Sequence, residues 1–120
     1  MDEIDFSSDA FLDILAKDGR YQARAYALLM DVINFLGTKG GGHMTAADIL
    51  DEFKERALDQ YGPLAFFVLN EWGVSRCEDV GMMMGNLVMS HRVRSDPGDS
   101  PEDFAGGYDF RETFLGPYAA

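Results

Sequence analysis

Residues Pro63 to Gly81 read PLAFFVLNEWGVSRCEDVG, and the first half, Pro63 to Trp72, is apolar almost all the way round a helix. At about 100° per residue, Leu64, Ala65, Val68, Leu69 and Trp72 cover one side. Phe66 and Phe67 reach round the rest, and only Asn70 and Glu71 break the ring. A helix that is hydrophobic all round is normally buried on every side. The stretch therefore predicts a buried central helix, residues 63–72, with the other helices leaning on it.

Its boundaries are written into the same residues. Gly62 closes the preceding helix, and Pro63 stands at the first helical position, where its missing N–H is harmless. Gly73 can take the left-handed conformation just past the helix, and Val74 is placed for the apolar contact that accompanies such a cap. Ser75-Arg76-Cys77-Glu78 then fits the S-x-x-E capping box that starts the next helix.

Outward from this post, apolar periodicity predicts further helices. One starts at Ser7 or Ser8, carries Phe11, Leu12, Ile14 and Leu15, and stops at Gly19. A second spans about Arg20 to Leu36, with Tyr21, Ala25, Leu28, Leu29, Val32, Ile33 and Leu36 on one face. Thr38 to Met44, TKGGGHM, reads as a linker, since consecutive glycines oppose a stable helix. The glycines lack the following Lys and Ser/Thr of a phosphate loop.

A third helix begins at Thr45, with Asp48 completing an approximate capping box. It presents Ile49, Leu50, Phe53, Ala57, Leu58 and Tyr61 on one stripe, and Glu52–Arg56 adds a pair one turn apart. The helix after the central one covers about Arg76 to Val93. Cys77, Val80, Met83, Met84, Leu87, Val88 and His91 face one way, and Met82, Met89 and Val93 the other. A helix with two apolar faces needs two covers, so Met82, Met89 and Val93 form a candidate interaction surface.

From Ser95 the chain turns rich in Pro, Gly and Asp, yet Phe104, Tyr108, Phe110, Phe114, Leu115 and Tyr118 are too aromatic for a disordered tail. The expectation is one domain: a helical part, residues 1–94, and an irregular acidic, aromatic segment, 95–120, docked on it. The fold class is mainly α, a compact bundle of about five helices. A β-hairpin pairing Val88–Arg94 with Phe104–Phe110 is the alternative arrangement of this region.

The 120 residues suit one domain with a real core, 47% of them being hydrophobic. The net charge of −11 is carried mostly by the two ends. Such a balance argues against phosphate-backbone partners. No run approaches the ~20 apolar residues of a membrane span. The acidic beginning, MDEIDFSSDAFLDIL, is unlike a basic signal-peptide start, and the single cysteine rules out an internal disulfide. Together these predict a cytoplasmic protein.

Several pieces of the chain occur in an order that resembles a known group: His43-Met44-Thr45, Ala57-Leu58, Tyr61-Gly62-Pro63-Leu64-Ala65, Val68-Leu69, Trp72-Gly73-Val74, Glu78-Asp79-Val80-Gly81, Asp103-Phe104 and Tyr108-Asp109-Phe110. The group is a conserved hypothetical family of small proteins from planctomycetes and verrucomicrobia. The likeness covers most of the chain from about Arg20 onward. Departures stand at Val80, where Phe is usual, and at Ala46, where Gly is usual. The resemblance implies a stand-alone single-domain protein and brings no activity, cofactor or catalytic residue.

The chemistry on offer is thin. Cys77, beside Arg76 in the first turn of a helix, is the best reactive candidate, because both neighbours favour a thiolate. The competing reading is a small core residue on the Val80/Met84 face. His43, after the glycines, is a second candidate, against a role in packing and backbone hydrogen bonding. Neither His43 nor His91 has a second ligand at zinc spacing. Asp96, Asp99 and Asp103 lack the order of a calcium loop, and Met82-Met83-Met84 point to different sides of a helix. No metal or cofactor is expected.

Three functions follow in order of support. The first is a non-enzymatic cytoplasmic protein–protein interaction or adaptor module, with a protein partner or a second copy of itself. The second is a winged-helix-like nucleic-acid binder, its recognition element the Arg76–Arg94 helix. The third is a small enzyme using Cys77 or His43.

Overall fold

A computed structural model describes residues 19–38, 45–89, 104–105 and 107–118, with Val88 and Met89 given by backbone alone. The expected first helix lies outside the described residues, as do most of the glycine linker, His43, Val93 and the run from 90 to 103. Among the described residues all regular structure is helical. In chain order the α-helices are α1 (Ala23–Thr38), α2 (Ala46–Tyr61), α3 (Ala65–Glu71), α4 (Cys77–Met89) and α5 (Phe110–Leu115). Short 3₁₀ turns, Gly62–Leu64 and Gly116–Tyr118, precede α3 and follow α5. The radius of gyration, 13.9 Å, matches the about 13.6 Å expected for a folded domain of this length.

α1 buries the stripe that its periodicity announces, with Tyr21 just ahead of it: Ala25, Leu28, Leu29, Val32 and Ile33 are in the core. Tyr26 and Met30 are buried as well, which widens the inner face beyond the predicted one. α1 runs to Thr38 rather than stopping at Gly37, and the Thr38 hydroxyl donates back to the Phe35 carbonyl at 2.7 Å.

α2 starts as its sequence says. Thr45 Oγ1 accepts from the Asp48 N–H at 3.1 Å, and Asp48 Oδ2 accepts from the Thr45 N–H at 3.2 Å, a complete capping box with Asp in place of Glu. Ile49, Leu50, Phe53 and Ala57 are buried, and Arg56 Nε lies 3.2 Å from Glu52, one turn earlier.

The predicted central post is corrected. α3 has seven residues and lies at the surface. Ala65 and Leu69 are fully buried and Trp72 nearly so, but Leu64 is 61% exposed and Phe67 58% exposed. The physical reason is that composition is not position. The residues at i, i+4 and i+7 face inward, and a folded surface tolerates apolar side chains on the outside. The central element is α2, which packs against α1, α3, α4 and α5.

The end of α3 follows prediction. Gly73 has φ of +95°, its N–H donates to Asn70 O at 3.0 Å, and the Val74 N–H donates to Leu69 O at 2.8 Å. These two bonds make a Schellman cap. The turn is also pinned from outside: Gln22 N–H donates to Trp72 O at 3.0 Å. A Cβ on Gly73 would lie 1.9 Å from the Arg20 carbonyl oxygen, so this close approach requires glycine.

The alternative hairpin finds no support among its described residues, and positions 90–94 of its first strand lie outside them. Val88 and Met89 are helical, and Phe110 opens α5 instead of closing a strand. The expected docking of the C-terminal segment does occur among its described residues, through a helix that was not predicted. Asp109 caps it, accepting from the Glu112 N–H at 2.9 Å, and Phe104, Phe110 and Phe114 are buried. Phe110 and Phe114 meet edge to face with centroids 4.9 Å apart, a favoured aromatic geometry.

Candidate functional site

The sequence put its reactive candidate at the start of α4, where three parts of the chain meet. Cys77 is buried. Its Sγ accepts from the Tyr108 N–H at 3.3 Å and lies 3.4 Å from the Tyr108 carbonyl, to which the thiol donates. The Tyr108 hydroxyl donates to the Leu50 carbonyl at 2.9 Å. Gly107 makes this approach possible: a Cβ there would sit 2.7 Å from Leu50 Cδ1 and 3.0 Å from Cys77 Sγ. The clamp joins α2, α4 and the C-terminal segment.

This setting reverses the expected electrostatics. Burial pushes the Cys77 thiol up from its ordinary value, Glu78 pushes the same way, and only the Tyr108 N–H pulls it down. The helix start does not overcome the loss of water. The thiol is protonated at neutral pH and sealed under the Gly107–Tyr108 backbone, an arrangement suited to packing rather than nucleophilic attack. Burial also pushes the Tyr108 phenol up, with smaller contributions from Cys77 and Asp51.

The predicted capping box at this helix is shifted by one residue. The carboxylate that serves the helix start is Asp79, not Glu78. Asp79 Oδ2 accepts from the Ser75 N–H at 2.9 Å, the Arg76 N–H at 3.2 Å and the Ser75 hydroxyl at 3.3 Å. Its Oδ1 accepts from the Tyr21 hydroxyl at 2.7 Å. Glu78 is half-buried and Asp79 is buried. Sequence reasoning missed Asp79 as a structural hub. The usable signal was its place one turn beyond Ser75, on the same face as the small and apolar residues of α4.

The predicted interaction surface is described in part. Met82 is 37% exposed, whereas Met83 is fully buried, so the methionines do separate by side as the helix period requires. The side chain of Met89 and all of Val93 lie outside the described residues, as does the other reactive candidate, His43.

The larger exposed apolar feature is one that the sequence reading had buried. Leu64, which ends the 3₁₀ turn, and Phe67, in α3, stand one turn apart. The Tyr118 hydroxyl is 3.9 Å from where a Cβ on Gly62 would lie, two residues before Leu64, and Tyr118 is itself 48% exposed. Phe66, at the flank, meets Phe67 edge to face at 5.5 Å and carries the Arg111 guanidinium over its ring at 5.5 Å. The exposed Glu71 lies one turn beyond Phe67.

Among the described residues no three His, Cys, Asp or Glu side chains gather as a metal ion would need. Nor, among them, is any helix long and apolar enough to cross a membrane. Comparison with protein-family models, curated proteins and solved structures gave no match.

Proposed function

We propose that this chain is a non-enzymatic, cytoplasmic protein–protein interaction module. Its contact surface is the outer side of α3, Leu64 and Phe67, extended by Tyr118. The carrying observation is the exposure of Leu64, just ahead of α3, and of Phe67 within it, while Ala65 and Leu69 of the same helix are fully buried. The helix is held at both ends, by the 3₁₀ turn at Pro63 and by the Schellman cap at Gly73. Large apolar side chains on a rigid element present a ready-made anchor, with little side-chain entropy left to lose on binding. In the described part of the C-terminal segment, Phe104, Phe110 and Phe114 are buried against the chain's own body.

The two other readings have less support. The enzyme reading leaned on Cys77, whose thiol is sealed, and on His43. The nucleic-acid reading needs a basic recognition helix, yet α4 begins with Glu78 and Asp79, and the chain carries −11 overall.

The test compares the wild-type chain with a Leu64→Ser/Phe67→Ser variant, each immobilised and exposed to native lysate, with light scattering run on both. The expected result is a stoichiometric protein partner, or a second copy, that is held by the wild type and lost with the variant. Equal retention by both, with both monomeric, removes the reading.

A further inference from the structure

The C-terminal segment is fastened to the body differently from the way the helices of the body are fastened to one another. The body is cross-tied by hydrogen bonds at several points. Tyr21 donates to Asp79 at 2.7 Å, the Gln22 N–H donates to Trp72 O at 3.0 Å, and the Asn86 amide donates to the Tyr26 hydroxyl at 3.0 Å. Among the described residues, every hydrogen bond from the segment to the body passes through Tyr108. Its backbone N–H and carbonyl both meet the Cys77 sulfur, and a thiol is a weak donor and a weak acceptor. The stronger bond is the one from the Tyr108 hydroxyl to Leu50 O at 2.9 Å.

The rings of the segment also pack on each other. Phe110 and Phe114 meet at 4.9 Å, Tyr108 stacks on Phe110 at 5.7 Å, and Tyr108 meets Phe114 at 6.1 Å. Part of their cover therefore travels with them when the segment leaves its seat. α5, with six residues, is too short to be a stable helix alone; it rests on α2 and α3. An element with one hydrogen-bonded fastening and its own aromatic cluster has the makings of a separate cooperative unit, whose opening costs less than global unfolding.

We propose that the C-terminal segment is a strap that opens as one unit while α1–α4 stay folded, with Tyr108 as its fastening. Opening lays bare the Cys77 thiol and the Leu50 carbonyl. It also withdraws Tyr118 from beside Gly62 and Arg111 from over Phe66. The strap needs no partner, so it stands apart from the interaction reading, yet it adds a regulation to that surface. Tyr118 belongs to the contact surface only while the strap is shut, and a partner that engages Leu64, Phe67 and Tyr118 together must in turn hold it shut.

Native-state labelling of Cys77 by a thiol reagent, on the full chain at neutral pH and in low urea, tests this beside global unfolding followed by circular dichroism. Labelling is slow, because the shut state dominates. Its rate at low urea should nonetheless exceed what global unfolding allows by at least about tenfold, with a shallower urea dependence, since a partial opening exposes less surface. Tyr108→Phe removes the hydroxyl bond to Leu50 and should raise that rate about three- to tenfold. Ile33→Val, on the buried face of α1, lowers global stability and should leave the rate unchanged. A wild-type rate that tracks global unfolding at every urea concentration overturns the strap. An unchanged rate in Tyr108→Phe overturns the fastening, and a rate raised by Ile33→Val overturns the claim that the body stays folded. None of these outcomes decides the lysate comparison, so the strap and the interaction reading fail separately.

Discussion

Tyr21 donates its hydroxyl proton to Asp79 at 2.7 Å across 58 positions of sequence. The carboxylate that receives it also holds the N–H groups of Ser75 and Arg76. One buried side chain thus caps a helix and tethers the residues just ahead of α1 to α4. The pair is expected to be coupled. Asp79→Ala removes the cap and the acceptor of the Tyr21 hydroxyl, for a loss of about 2–4 kcal/mol. Tyr21→Phe leaves the other donors in place and should lose about 1–2 kcal/mol. Urea unfolding of both single variants and the double variant should give a coupling of ~1 kcal/mol; additive losses would mean that the contact carries no energy.

Gly73 and Gly107 should resist substitution for different reasons. At Gly73 an added Cβ meets the backbone oxygen of Arg20 at 1.9 Å, with φ at +95°, so neither strain nor clash can relax. Gly73→Ala should lose several kcal/mol or fail to fold. At Gly107 the nearest atom is the end of the Leu50 side chain, at 2.7 Å. Gly107→Ala should therefore lose about 1–3 kcal/mol, and Leu50→Val should recover part of that loss. Denaturation midpoints check both.

The two sides of α3 should separate cleanly in stability. Phe67→Ser removes a solvent-facing ring and should stay within about 0.5 kcal/mol of wild type. Leu69→Ala opens a cavity in the core and should lose ~2–5 kcal/mol. Thermal melts of the two variants are the measurement. A large loss at Phe67 would mean that its ring is covered in the folded chain.

Cys77 should be slow to react with a thiol reagent until the chain is unfolded. Its ordinary value is 9.0 and burial raises it, and Tyr108 is raised from 10.0 in the same way. Both groups are neutral in the fold. Their contribution to stability is full below these ordinary values and is lost as pH rises through the higher folded ones. Melting temperature should thus fall above about pH 9, and the fall should be shallower in Cys77→Ala. Rapid native labelling at neutral pH would contradict the sealed geometry.

The boundaries of the helices were largely legible in the sequence because they are local. Thr45 with Asp48 and Trp72-Gly73-Val74 act through hydrogen bonds and backbone angles spanning a few residues, and each behaves as its residue types require; Pro63 sits inside a 3₁₀ turn instead, with the α-helix starting at Ala65. The inner stripes of α1 and α2 were legible because an apolar residue every third or fourth position leaves one face to bury. Which helix lies at the centre was not legible. Pro63–Trp72 is apolar on every side, and composition alone cannot say which sides find a neighbour; α2 took the middle and left Leu64 and Phe67 outside. Nor could the sequence set Cys77 under Tyr108 or aim Tyr21 at Asp79. Those contacts join residues tens of positions apart, and only the packing of α2, α4 and the C-terminal segment brings them within bonding distance.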